Sequence, residues 1–141
     1  MSRVIHSETA GKERKQLARS VVLAIRELGK QTEPNSDSKD MAAYIVLALW
    51  EIHNSIETSV VAWEKRGYWV KADHFRLEWE WSRSLGDQIH KAVLDEDWGA
   101  MVLLLAQVAQ KLGKEQIPAR HRLGTPWVGA WRRLQAVESV S

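Results

Sequence analysis

The chain has no cysteine among its 141 residues, which excludes disulfide frameworks, thiolate metal sites and thiol nucleophiles. Three prolines and eight glycines are too little punctuation for the many tight turns of an all-β fold. With one Phe and two Tyr, the eight Trp supply nearly all the aromatic surface. The longest apolar run, the ten residues from Met41 to Trp50, is too short to span a bilayer, and the N-terminal MSRVIHSETAGKERK has no apolar stretch of signal-peptide length. These absences predict a cytoplasmic protein with no membrane segment. A formal net charge of +2 is too small to imply nucleic-acid binding, so only a local clustering of cations would carry it.

What is present is ordinary for a soluble domain: 45% apolar and 27% charged residues, enough for one core in a single helical domain over residues 1–141. Residues 1–8 have no period and are expected to be a loose tail. From about Thr9 to Gln31, Leu17, Val21, Ala24, Ile25 and Leu28 recur at helical spacing, and Lys12, Lys15, Arg19, Arg26 and Lys30 gather on the opposite face as a basic stripe. After the loop QTEPNSD, a second helix is expected from about Ser38 to Arg66, capped by Asp37 or Ser38, with Asp40 in its first turn. Its seam is Met41, Ile45, Ala48, Leu49, Ile52, Ile56, Ser59, Val60 and Trp63. A second stripe, Ala43, Val46, Leu47, Trp50 and Val61, makes its first half apolar all round, so this helix is either central or an interface.

Gly67 sits where a C-cap glycine stops that helix and turns the chain back. The third helix, to about Leu94, carries a seam of Tyr68, Ala72, Phe75, Trp79, Ser82, Gly86, Ile89 and Val93, flanked by Val70, Leu77, Trp81 and Leu85. Ser82 and Gly86 are small, so a close helix approach is expected there, against something as large as a tryptophan. Asp95 or Asp97 caps a fourth helix, WGAMVLLLAQVAQKL, which ends at Gly113. Residues 114–124 read as a connecting loop, and Thr125 with Pro126 as the start of a short fifth helix from about Trp127 to Val137. Short connections between long amphipathic helices imply antiparallel neighbours. The expected fold is therefore all-α: an antiparallel up-and-down four-helix bundle with a short fifth C-terminal helix.

Several chemistries could sit on this frame. Bundles host dimetal sites on repeated Glu-x-x-His motifs, but no Glu-x-x-His occurs here. Asp87 with His90 and His53 with Glu57 come nearest, neither is repeated, and no metal or cofactor is expected. Arg83 and His90, with six residues between them, resemble the Arg-x4-6-His signature of HEPN-type ribonucleases, small all-helical domains that pair their motifs across a dimer. That resemblance implies a cation holding a scissile phosphate while the imidazole acts as general acid or base. The alternative for the same residues is an ion-pair ladder on the helix surface, Arg76, Glu80, Arg83 and Asp87.

A nucleic-acid reading rests on Lys65, Arg66, Trp69 and Lys71 at the turn between helices two and three, with Arg120 and Arg122 in the later loop and the helix-one stripe. Small helical subunits of RNA-guided effector complexes are similar in size and class. The leading expectation is a non-enzymatic interaction or assembly module, partnered as a homodimer or with another protein. Helices two and four look too apolar to be half exposed, and a charge at Trp50 or Leu104 should break the assembly.

Overall fold

The computed structural model describes residues 7–140, with side chains over 9–137. Five helices follow one another: α1 (Ser7–Leu28), α2 (Ser36–Lys65), α3 (Trp69–Leu94), α4 (Trp98–Lys111) and α5 (Ala130–Val140). Among the described residues there is no strand, and no helix is long and apolar enough to cross a membrane. Of the tail expected over 1–8, residues 7 and 8 belong to α1, and the rest lies outside the described residues.

The all-round apolarity of α2 is resolved as centrality. Its 30 residues, about 45 Å at 1.5 Å per residue, pack against α1, α3 and α5. Both of its stripes are therefore used, except at Val61, which is 44% exposed. Met41, Ala42, Ala43, Ile45, Val46, Ala48, Leu49 and Ile52 are all buried in one core with Val21, Leu23 and Ala24 of α1 and Leu85, Ile89 and Val93 of α3. A smaller cluster of Ile56, Val60 and Ala72, walled by Trp63, Phe75 and Trp79, continues that core towards the α2–α3 turn. Buried hydroxyls are satisfied locally: Ser55 Oγ donates to the Ile52 carbonyl and Ser82 Oγ to that of Trp79, each at 2.7 Å.

The helix ends follow from cap chemistry, with one change of residue. Asn35, rather than Asp37 or Ser38, caps α2, its Oδ1 accepting from the Ser38 N–H at 2.9 Å. Ser38 is instead buried at the first turn. At the other end Gly67 (φ +83°) closes a Schellman turn: Tyr68 N–H donates to the Trp63 carbonyl at 2.9 Å and Gly67 N–H to that of Glu64 at 3.0 Å. Tyr68 is consumed by that turn. Its side chain is out of phase with α3 and exposed, not the first residue of the seam. The α3–α4 turn repeats the same pattern, with Asp97 N–H donating to the Ala92 carbonyl and Glu96 (φ +52°) where glycine is usual. Asp97 then caps α4, accepting from Ala100 N–H at 3.1 Å.

The C-terminal helix begins later than Thr125–Pro126 predicts. Those residues open a single turn, and Gly129 at φ +79° interrupts it before α5 starts at Ala130. The start of α5 is fixed from a distance. Asp40, expected to serve the dipole of α2, turns its carboxylate to Gly129 N–H (3.2 Å) and Trp131 N–H (3.0 Å). Trp127, Ala130 and Leu134 then enter the core beside α2. Tyr44, half-buried there, has its pKa raised, chiefly by burial, against weaker opposing effects of Ser20 and Arg133.

Candidate interaction surfaces

Three places on the molecule concentrate side chains with something to bind. The first surrounds Trp50. Gly86 of α3 lies so close to α2 that a Cβ there would sit 3.0 Å from Trp50 Cδ1 and 3.1 Å from its Nε1, the small-against-tryptophan contact that the seam predicts. The indole N–H donates to Asp87 Oδ1 at 2.9 Å, Arg83 lies over the ring at 5.4 Å, and His90 meets it edge-on at 5.2 Å. Arg83 also pairs with Asp87 at 3.2 Å. Arg83 and His90 are thus brought together on one indole, both packed on it. Only part of the expected ladder forms. Arg76 turns across to α2, bidentate to Glu64 at 2.9 and 3.2 Å and 3.5 Å from Glu57, and those carboxylates raise its pKa. Among the described residues, no group of three or more His, Asp or Glu is arranged to hold a metal ion.

The second place is the α2–α3 turn. Lys65, Arg66, Trp69 and Lys71 are all exposed there, Trp69 by 59%, with Tyr68 beside them. Lys71 spends its ammonium on Trp63, 4.4 Å from the ring. The other expected cations do not join this cluster. Arg14 of α1, which sequence reasoning passed over, reaches this end of the molecule. It donates to Ser55 Oγ at 3.1 Å and lies 4.9 Å over Phe75, and burial lowers its pKa. Within the basic stripe, Lys12 and Lys15 are exposed, while Arg19 is half-buried with its Nε shielded from solvent. Arg26 donates to the Ile117 carbonyl at 3.3 Å and, with Lys30, faces Glu27. That carbonyl tacks the loop carrying exposed Arg120 and Arg122 to the far end of α1. The stripe is therefore divided between two ends of the molecule, and Arg26 and Lys30 share the single carboxylate of Glu27.

The third place is α4. Only 14 residues long, it lies on α3 and touches α1 at one end, burying Met101, Leu105, Val108 and Leu112. Trp98, Ala100 and Leu104 are half-buried on its flanks, and its outer face is uncovered. Val102 is 63% and Leu103 69% exposed, with Gly99, Ala106 and Ala109 also open to solvent and Leu94 of α3 half exposed nearby. A groove of about 490 Å³ runs beside it, floored by Ile25, Leu28, Met101 and Leu105 and rimmed by Pro34, Trp98 and Val102. Gln107, Gln110 and Lys111 are all that is polar along the helix.

Of the two helices whose apolarity needed a partner, α2 finds three inside the chain and α4 does not. Trp50 is half-buried against Gly86, and Leu104 is half-buried on the flank of α4. The exposed residues are its neighbours Val102 and Leu103. Periodicity alone missed them because only Gln107 and Gln110 mark a polar side in WGAMVLLLAQVAQ, too little to separate Val102 and Leu103 from the buried Met101, Leu105 and Val108 without the packing. Val70 and Leu77, expected to flank the α3 seam, are also exposed, since α4 is too short to extend along that half of α3. Compared with family models, with curated proteins and with solved structures, the chain matches none.

Proposed function

We propose that this protein is a non-enzymatic helical assembly module. In this reading α1 to α4 form an up-and-down four-helix bundle braced by α5, which presents the outer face of α4 to an apolar helix of another protein chain in the cytoplasm. The observation that carries it is the exposure of Val102 and Leu103, on a helix with a single charged residue. Exposed apolar side chains scattered singly need no explanation, but here they are consecutive, and Val102 lines an apolar groove. The hydrophobic gain available there, about 25 cal/mol per Å² of apolar surface removed from water, is unspent within the chain.

In sedimentation velocity at micromolar concentration the full chain is expected to run as a complex larger than its 16.1 kDa. Leu103→Glu should run as a monomer with its helix content unchanged, because residue 103 supports nothing inside the fold. A natural chain that stays strictly monomeric counts decisively against this reading.

A second reading, binding of single-stranded or structured RNA, is favoured by the exposed Trp69 beside Lys65 and Arg66. A stacked base is worth about 1–3 kcal/mol, so Trp69→Ala should weaken binding to a generic single-stranded RNA by tenfold or so, and raising salt should weaken it steeply. No retention of that RNA at low salt would sink this second reading.

A further inference from the structure

Taking the outer face of α4 as the docking surface, we infer that its occupant is a second copy of the same helix, antiparallel to the first across a two-fold axis. The inference rests on the proposed assembly reading and adds the partner and its register. The face is complementary to itself. Asp97 caps the N-terminus of α4 and Asp95 stands in the turn before it, while Lys111 closes the helix and Lys114 follows it, so reversing one copy brings acid to base at both ends. A parallel pair would set Asp95 against Asp95 and Lys114 against Lys114. Antiparallel packing also opposes the two helix dipoles.

The shape of the face agrees with the charge. Leu103 and Ala106 are both exposed and lie equally far from the midpoint between Leu104 and Leu105. A two-fold axis through that point sets Leu103 of each copy against Ala106 of the other, large against small. Asp95 and Lys114 stand in the turns just before and just after the helix, so the same register brings the acidic end of one copy to the basic end of the other. Gly99 falls opposite Gln110, which lets the backbones approach at the ends. Such a contact is isologous and closes as a dimer. At 14 residues the helix offers a contact of about 21 Å. That is small for a stable interface, so the dimer should be concentration-dependent in the micromolar range.

The test uses the full chain and two single variants, Asp95→Lys and Lys114→Glu, alone and mixed in equal amounts. Both positions are exposed, and a lysine at 95 suits the C-terminal end of α3, so neither variant should disturb the fold. Alone, each variant places like charges at both ends of the pair and should dimerise about tenfold more weakly than the natural chain at low salt. In the mixture, the lysine introduced in one variant meets the glutamate introduced in the other. At the opposite end of the pair the retained Lys114 meets the retained Asp95, so a heterodimer should form with the natural affinity regained. Raising salt should shrink these differences. If the natural chain dimerises but the single variants match it, the antiparallel register is wrong while the assembly reading stands. The same holds if the mixture associates no better than its components. A strictly monomeric natural chain overturns both.

Discussion

Gly86→Val is expected to destabilise the protein by about 1–3 kcal/mol, the usual range for forcing extra carbon into a packed contact. Helix propensity gives the opposite expectation, since glycine inside a helix is less favourable than most residues by up to about 1 kcal/mol. The geometry decides between them. The first carbon alone would lie 3.0 Å from Trp50 Cδ1 and 3.4 Å from Leu49 Cβ, and valine adds two more. The indole has little freedom to retreat, held by Asp87 through its N–H, by Arg83 over its face and by His90 at its edge. The origin of the cost can be isolated by repeating the substitution in a Trp50→Ala background, where the space is vacated. There the penalty of Gly86→Val should fall by at least about 1 kcal/mol, the coupling typical of residues in direct contact. Denaturant unfolding followed by circular dichroism measures all four corners of this cycle. Equal penalties in the two backgrounds would show that something other than the Trp50 contact excludes a side chain at 86.

Ile52→Ala should cost about 2–5 kcal/mol, whereas Leu103→Ala, which also shortens a branched aliphatic side chain to a methyl, should change stability by no more than about 0.5 kcal/mol. Ile52 is 0% exposed at the centre of α2, where α1 and α3 both close on it, and removing it leaves a cavity that three packed helices cannot collapse together. Leu103 faces solvent, so its truncation leaves no cavity. Measured at a concentration where the chain is monomeric, the two unfolding midpoints should separate clearly. A large loss for Leu103→Ala under those conditions would mean that α4 packs by a different face from the one described. A negligible loss for Ile52→Ala would remove α2 from the centre of the fold.

These contrasts mark where sequence was a sufficient guide. The seam of α2 from Met41 to Val60 and that of α3 from Ala72 to Val93 were legible because a helix buries a stripe that recurs at three and four, whatever its neighbours. The Schellman turn at Gly67 and the cap at Asp97 were legible because capping depends on residues a few positions away. Asn35 took the α2 cap because the helix began a little earlier than its apolar pattern did, and Tyr68 left the α3 seam because the Gly67 turn claimed it. Trp69, placed by the sequence in the cluster at the turn, is exposed there because it falls off the α3 seam. The basic stripe of α1 was visible as a stripe. That Arg19 is half-buried could not be read locally, nor that Arg26 is tied to the Ile117 carbonyl, in a loop ninety-one positions away.

By itself the sequence determined that the described chain is helical, where four of its helices lie to within a few residues, and which faces of α2 and α3 are apolar seams, because propensity, capping and periodicity act over one or two turns. Only the tertiary structure decided that α2 is the centre and α4 the uncovered helix, since two helices apolar all round look alike until the packing shows how many neighbours each has. It alone brought Asp40 to the start of α5, moving that helix from Trp127 to Ala130, because the cap comes from a residue with no local relation to the helix it caps. It alone set Arg83, Asp87 and His90 around Trp50, since that contact requires the glycine of one helix to admit the indole of another.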